Sequence, residues 1–336
     1  MTVKPMKLSQ LRQDLVSGDW IVIAPKRAER PHEFESKGTR KRAPIKGCPF
    51  EDPKKYDHAE LFLEYRNKRG WTLEIVENRF PAFVHKNICS VIRRIGPNAV
   101  TDGIGHHDVV ITRDHDADFP DLDSERAIEV FKAFQERYLM LLHDDCLAYI
   151  SIFHNWGPAA GASIYHPHYQ LIAIPVVPPD VEHSLQGSRR HFEKYKQCVH
   201  CTVIEWERRE KKRIIFENKE AVAFMPFASR NSFEFGVFPK RHQPFFENSS
   251  EFILSDVSLA LHGALKMMKK KLKDPDYNFY IHTAPVRKKE THRHYHWHIE
   301  VLPKLNISAG FELGTGIDIN PVDPDEAAKI LRGRKE

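Results

Sequence analysis

The 336-residue chain is long enough for about two domains, and its 41% hydrophobic and 29% charged residues fit a folded globular protein rather than a disordered one. A formal charge of +5 is too mild to predict a nucleic-acid partner, because basic runs such as 208–213 and 266–273 read as solvated helix faces. The first 25 residues carry no long apolar stretch with a small-residue cleavage site, and no segment is long and apolar enough for a membrane span, so the expected location is the cytoplasm.

In chain order, residues 18–31 hold a strand-like run followed by Arg27 and Arg30. A candidate capped start at Asp123 or Ser124 opens a helix through about residue 145. A strand over 146–157 follows, then a glycine-containing loop over 154–163 and a second strand over 163–175. Prolines at the end of that strand predict a break before a short helix. The same order returns as a helix over 248–273, a strand over 277–285 and a strand over 294–303. Upstream, 76–84 is echoed by 216–228 and 107–119 by 233–246, while Cys48-Pro-Phe-Glu51 takes the place that Cys198-Val-His-Cys201 holds later. The chain therefore reads as two tandem α+β units, residues 1–185 and 186–336, with antiparallel sheets flanked by helices.

Five cysteines in a chain without an export signal predict metal binding rather than disulfides. Cys198-x2-Cys201 with His242 and His296 has the composition of a closed tetrahedral zinc site. The first unit offers Cys48, Glu51, His115 and His166 at the matching places, with Asp52 as an alternative carboxylate. One or two zinc ions per chain are expected. Most of the 20 histidines are ordinary core or surface residues, so spacing has to select. On a strand, His166, His168 and Gln170 share a face. With His166 on a metal, His168 faces an open site beside Gln170, Ser163 and a loop whose glycines allow close backbone approach to phosphate. A neutral imidazole there can attack phosphorus and carry a covalent intermediate, and Arg27 and Arg30 are candidate cationic donors.

Asn155, Gly161-x-Ser163, His166-Pro-His168-x-Gln170, the 20–31 stretch with its two arginines, Asn78 and His115 together resemble the galactose-1-phosphate uridylyltransferases of the histidine-triad superfamily. The resemblance runs from about residue 8 to 332. It implies two histidine-triad-like domains, a homodimer, and a partner tail that completes the sugar site with Phe311 and Glu312. It also implies His168 as nucleophile, Gln170 and Ser163 on the transferred phosphoryl group, and Asn155 and Asn78 near the nucleotide. The expected partners are an NDP-sugar and either a sugar 1-phosphate or inorganic phosphate, in a ping-pong exchange, most simply UDP-glucose:hexose-1-phosphate uridylyl transfer in galactose metabolism.

Glu51 stands where that family commonly has Cys, Phe311 where Tyr often sits, and Asn306 where the better-known members carry Lys. The Cys198/Cys201/His242/His296 set and the segments GHHDVVIT and GFELGTG are also similar to the ADP-glucose phosphorylase branch, which moves AMP to phosphate. Two readings of other classes are a nucleotide hydrolase, against which Gln170 argues, and a zinc-stabilised binding protein, which leaves Ser163, His168 and Gln170 unexplained.

Overall fold

A computed structural model describes residues 8–29, 40–53 and 60–333. In chain order its elements begin with strands β1 (Gln10–Gln13), β2 (Trp20–Ile23), β3 (Leu61–Asn67), β4 (Gly70–Glu77), β5 (Arg93–Ile95), β6 (Asn98–Val100) and β7 (His106–Thr112). Helix α1 (Ser124–Leu141), β8 (Tyr149–Trp156), β9 (His168–Ile174), α2 (Pro179–Tyr195) and α3 (Val199–Glu210) follow. The second half holds β10 (Ile214–Glu217), β11 (Ala221–Phe224), β12 (Phe235–Pro239), α4 (Glu251–Leu272), β13 (Tyr277–His282) and β14 (His298–Pro303). Helix α5 (Gly310–Thr315), β15 (Ile319–Asn320) and α6 (Pro324–Arg332) complete it.

The two repeats merge into one ten-stranded sheet in the order β10-β11-β12-β14-β13-β8-β9-β7-β4-β3. Its two halves have matching order about the β13–β8 junction, and every pairing in it is antiparallel. At that junction Asn278 pairs with Asn155 and Phe279 with His154. Helices α1 and α4 cover one face together, joined by a hydrogen bond from Ser258 Oγ to the Ala127 carbonyl at 2.7 Å. Under them lies a continuous core that includes Phe119, Phe131, Phe134, Tyr169, Phe279 and Trp297. The caps follow from sequence: Asp123 accepts from the Arg126 N–H at the start of α1, and Ser250 accepts from the Ile253 N–H at the start of α4.

A small sheet, β1-β2-β15, brings the start and end of the chain together. It packs on the second repeat, where Ile21 and Ile23 meet Ala228 and the Asn320 amide donates to the carbonyls of Ser229 and Asn231. Arg12 adds bonds to the Phe227 carbonyl and to Asp323.

Several expectations are corrected. The strand predicted over 163–175 begins only at His168, since Pro167 has no N–H for the ladder, and the one predicted over 294–303 begins at His298. Where the strand expected over 146–157 overlapped the loop expected over 154–163, His154, Asn155 and Trp156 belong to β8. The short helix after the prolines is the 17-residue α2. Arg213, taken for a solvated residue of a basic run, is buried and donates to Glu207 and Asp325. Cys89 and Cys146 form a disulfide, so only Cys48, Cys198 and Cys201 are left for metal. Among the described residues no helix is long and apolar enough to cross a membrane.

Candidate active site

Both predicted metal groups assemble. Ligand atoms of Cys198, Cys201, His242 and His296 converge within 4.8 Å, as do those of Cys48, Glu51, His115 and His166. Cys198 caps α3 and Cys201 lies in its first turn, so helical spacing rather than a tight turn brings the two sulfurs together. His242 gives its Nε2 hydrogen to the Arg293 carbonyl at 2.8 Å and His296 gives its own to the Pro239 carbonyl at 3.0 Å. That leaves both Nδ1 atoms facing Cys201 Sγ, each at 3.5 Å. The Cys198 thiol is held far below the usual thiol range by Cys201, with His242 and His296 adding to the effect.

The first group repeats this construction. His166 Nε2 donates to the Thr112 carbonyl at 2.7 Å and His115 Nε2 to the Ala43 carbonyl at 3.0 Å. Their Nδ1 atoms lie 3.3 Å and 2.7 Å from Glu51 Oε1, and Cys48 Sγ lies 3.6 Å from His166 Nδ1. Carbonyl acceptors behind each imidazole fix the tautomer that a metal needs. The donor sets fit a divalent metal and are compatible with zinc, and Glu51 rather than Asp52 is the carboxylate in the first.

His168 opens β9 and is buried. Its Nδ1 donates to the His166 carbonyl at 2.9 Å, which leaves the lone pair on Nε2. Burial lowers its pKa to about 4, so the ring is neutral near pH 7. Beneath it His154 is fully buried, donating from Nδ1 to the His168 carbonyl at 2.7 Å. His154 Nε2 lies 2.9 Å from Asp118 Oδ1, and Asp118 Oδ2 accepts from Tyr277 at 2.7 Å.

Asn155 lies one residue beyond the His154–Tyr169 pair, beside His168. Its Oδ1 accepts from Asn278 Nδ2 at 2.8 Å. Gln170 Oε1 lies 2.8 Å from His107 Nε2, and Asn78 Oδ1 accepts from the Phe80 N–H at 2.9 Å. Gln170 and Asn155 thus have their oxygens occupied and NH2 groups left to give, the chemistry an oxyanion requires, while the Asn78 NH2 lies 3.0 Å from His107 Nε2. The loop from Gly157 to Ser163 curls over this strand end. Gly157 (φ 86°) and Gly161 (φ 87°) hold left-handed backbone, and a Cβ on Gly157 would overlap the Asp276 carboxylate. Ser163 and Gly161 are exposed on that loop.

The remaining predicted residues sit elsewhere. Arg27 follows β2 on the small sheet, Phe311 and Glu312 lie on α5 next to β15, and Arg30 lies outside the described residues. Phe311 is half exposed, and Glu312 accepts from the Ala309 N–H. The sequence reading did not single out His107, His154, Asp118 or Asn278. His107 and His154 had a weak signal: His154 adjoins Asn155, and His107 lies in the segment GHHDVVIT. Two further groups also converge, His85/His106/Asp144 and His282/His298/Glu300.

A family model described as a domain of unknown function, DUF4921, matches residues 51–332. An ADP-glucose phosphorylase from Arabidopsis thaliana is 35% identical over 329 residues, spanning 96% of this chain and 92% of its own. The chain belongs to the galactose-1-phosphate uridylyltransferase-like family. Another member, a galactose-1-phosphate uridylyltransferase from Thermotoga maritima, is 28% identical over 97% of this chain and 98% of its own. Among solved structures, the Arabidopsis thaliana ADP-glucose phosphorylase with bound ADP-glucose superposes with a TM-score of 0.82 at 30% identity, covering 98% of this chain and all (100%) of that one. The family's architecture is thus that of the large antiparallel sheet flanked by helices described above.

Proposed function

We propose that the protein is a nucleotidylyltransferase that moves a nucleoside monophosphate from an NDP-sugar to a phosphate acceptor through His168, and that its pair is ADP-glucose with inorganic phosphate. The observation that carries the reaction type is the neutral His168, with its Nδ1 proton committed to the His166 carbonyl and the lone pair left on Nε2. Nε2 attacks the α-phosphorus, a P–N bond forms, and the bond to the sugar 1-phosphate breaks, the electron pair leaving with its oxygen. A phosphate oxygen then attacks the same phosphorus, and the imidazole departs neutral with the electron pair of the P–N bond. Gln170, Asn155 and Asn78 give hydrogen bonds to the oxygens on which charge develops, with Ser163 on the loop beside them.

The choice of adenylyl transfer, rather than the uridylyl transfer that the core motif first suggests, is supported by the identity to the Arabidopsis phosphorylase. Uridylyl transfer between UDP-glucose and galactose 1-phosphate is the second reading, favoured by the Thermotoga relative. In this account zinc occupies one or both Cys/His groups, fixing His166 and hence the start of β9; it takes no part in the bond changes. Repeats 1–185 and 186–336 act as the two domains, and the enzyme works in the cytoplasm. The small sheet, seated on the second repeat with Arg27, Phe311 and Glu312, is offered to the His168 site of a second copy in a homodimer. Incubation with each NDP-sugar and each acceptor, with products read by mass spectrometry, tests the reaction. Glucose 1-phosphate and ADP are expected, and release of free AMP to water would favour a hydrolase instead.

A further inference from the structure

An amide serves a phosphoryl group through its NH2 side only; turned by half a rotation it presents lone pairs to an anion. What decides the orientation of Gln170 and Asn155 is therefore part of the site. For Gln170 the chain of constraint starts at a backbone group. The Ala82 N–H donates to His107 Nδ1 at 3.0 Å, and since a backbone N–H can only donate, Nδ1 carries no proton. The neutral ring then has its proton on Nε2, where Gln170 Oε1 at 2.8 Å is the acceptor and the Asn78 NH2, at 3.0 Å, can only donate. The Gln170 oxygen is taken, and its NH2 turns away from His107.

For Asn155 the constraint comes from the other repeat. Asn278, on β13, has its amide 2.8 Å from the Ala160 carbonyl, which can only accept, so the group facing that loop is the NH2. The same nitrogen lies 2.8 Å from Asn155 Oδ1. The Asn155 nitrogen is left on the side of Gly161, where even an added Cβ would stand 4.0 Å away. One side chain thereby fixes both the Asn155 amide and the glycine loop.

The second repeat provides an internal comparison. His107 stands two residues before Val109, the register partner of Gln170; Glu234 stands two residues before Gly236, the register partner of Glu300. His282 pairs with His298 where Asn155 adjoins His168. His298 donates from Nδ1 to the His296 carbonyl at 3.0 Å, as His168 does to His166, yet its neighbours are the Glu300 carboxylate and the imidazoles of His282 and His200. Glu300 accepts from Tyr280 at 2.7 Å. The backbone framework is repeated while the amide donors occur in the first repeat, pinned by His107 there and by Asn278 from the second.

We infer that His107 and Asn278 are positioning residues, which hold the Gln170 and Asn155 amides with their NH2 groups towards the phosphoryl group that His168 receives. The inference rests on the nucleotidyl-transfer reading above.

The experiment is single-turnover formation of the nucleotidyl-enzyme from ADP-glucose, without acceptor, in the full-length wild type, Asn278→Ala, Asn278→Asp and His107→Leu. Alanine removes the donor, whereas aspartate replaces it with an acceptor that draws the Asn155 NH2 to itself and turns its oxygen to the phosphoryl group. The limiting rate should fall about 10-fold in Asn278→Ala and about 10²-fold or more in Asn278→Asp and His107→Leu, in the range expected for a lost oxyanion donor. The half-saturating ADP-glucose concentration should stay within about threefold, with metal content and Tm unchanged, because the amides act on developing charge. A purely structural role predicts the opposite order, with the near-isosteric aspartate milder than alanine. Equal rates in all proteins, aspartate milder than alanine, or a change in half-saturation alone overturns the inference. If an Asn278 variant loses Tm, His107→Leu decides, as it tests the second amide independently. A wild type that forms no adduct removes the transfer reading, and this inference with it.

Discussion

His168 gives its Nδ1 proton to the carbonyl of His166 at 2.9 Å, so a residue of the first candidate metal group also sets the tautomer of His168 through its backbone. The relation is local, two residues apart, and the second repeat copies it between His298 and His296.

The first prediction concerns pH. Burial lowers the His168 pKa to about 4, below the free-imidazole value, so the ring sheds its proton on the acid side and is neutral from there upwards. The rate of nucleotidyl-enzyme formation should therefore be flat between about pH 8 and pH 5 and be lost as pH falls through about 4. Single-turnover rates across that range check it. An inflection near 6.5, the value of an unperturbed imidazole, would show that His168 is not buried and neutral as described.

The second concerns the network under His168. Asp118 and His154 are both fully buried, and Asp118 is the partner of His154 Nε2 and of the Tyr277 hydroxyl. Asp118→Ala leaves both without an acceptor and should destabilise the fold by about 3–5 kcal/mol. Urea denaturation monitored by tryptophan fluorescence measures it; a loss of less than about 1 kcal/mol would mean the network rearranges at little cost.

The elements that carry chemistry in their own residue types were legible in the sequence. Cysteine and histidine spacing selected both metal groups, because few side chains can ligate and their repeat offsets agree. The repeat itself foretold the matching halves of the sheet. What stayed hidden depends on pairings between distant segments. Asn278 and Asn155 are 123 positions apart and meet because β13 lies against β8, which no local pattern encodes. His107 was not singled out, since its role comes from the Ala82 N–H and Gln170 meeting at one ring. His154 stood where the strand read over 146–157 overlaps the loop read over 154–163, and β8 does continue to Trp156, with His154 buried. The seating of Arg27 and the tail on the small sheet follows from the β2–β15 pairing between the two ends of the chain.

A third prediction concerns metal. Protein purified without chelator should contain one to two zinc ions per chain. Cys198→Ser should remove the ion of the second group and lower Tm while nucleotidyl transfer persists, since a closed site contributes folding energy. Brief chelator treatment should empty the Glu51-containing group first, because a carboxylate is a poorer zinc ligand than a thiolate. Elemental analysis after each step checks the order, and protein containing no zinc at all contradicts it.

The fourth concerns the substrate pair. Specificity constants for ADP-glucose with phosphate should exceed those for UDP-glucose with galactose 1-phosphate by at least about 10-fold, a difference of about 1.4 kcal/mol in transition-state binding. Coupled assays of both pairs with one enzyme preparation measure this, and the reverse preference would select the uridylyl reading.

The most direct measurement is the mass of the intact protein after mixing with ADP-glucose and no acceptor. The wild type should gain one AMP per chain on an acid-labile bond that maps to the peptide containing His168 and is discharged by added phosphate. His168→Asn should gain nothing and lose about 10³-fold or more in turnover, with fold and zinc retained. An adduct on a peptide lacking His168, or no adduct from any NDP-sugar while turnover proceeds, would contradict a covalent mechanism at this histidine.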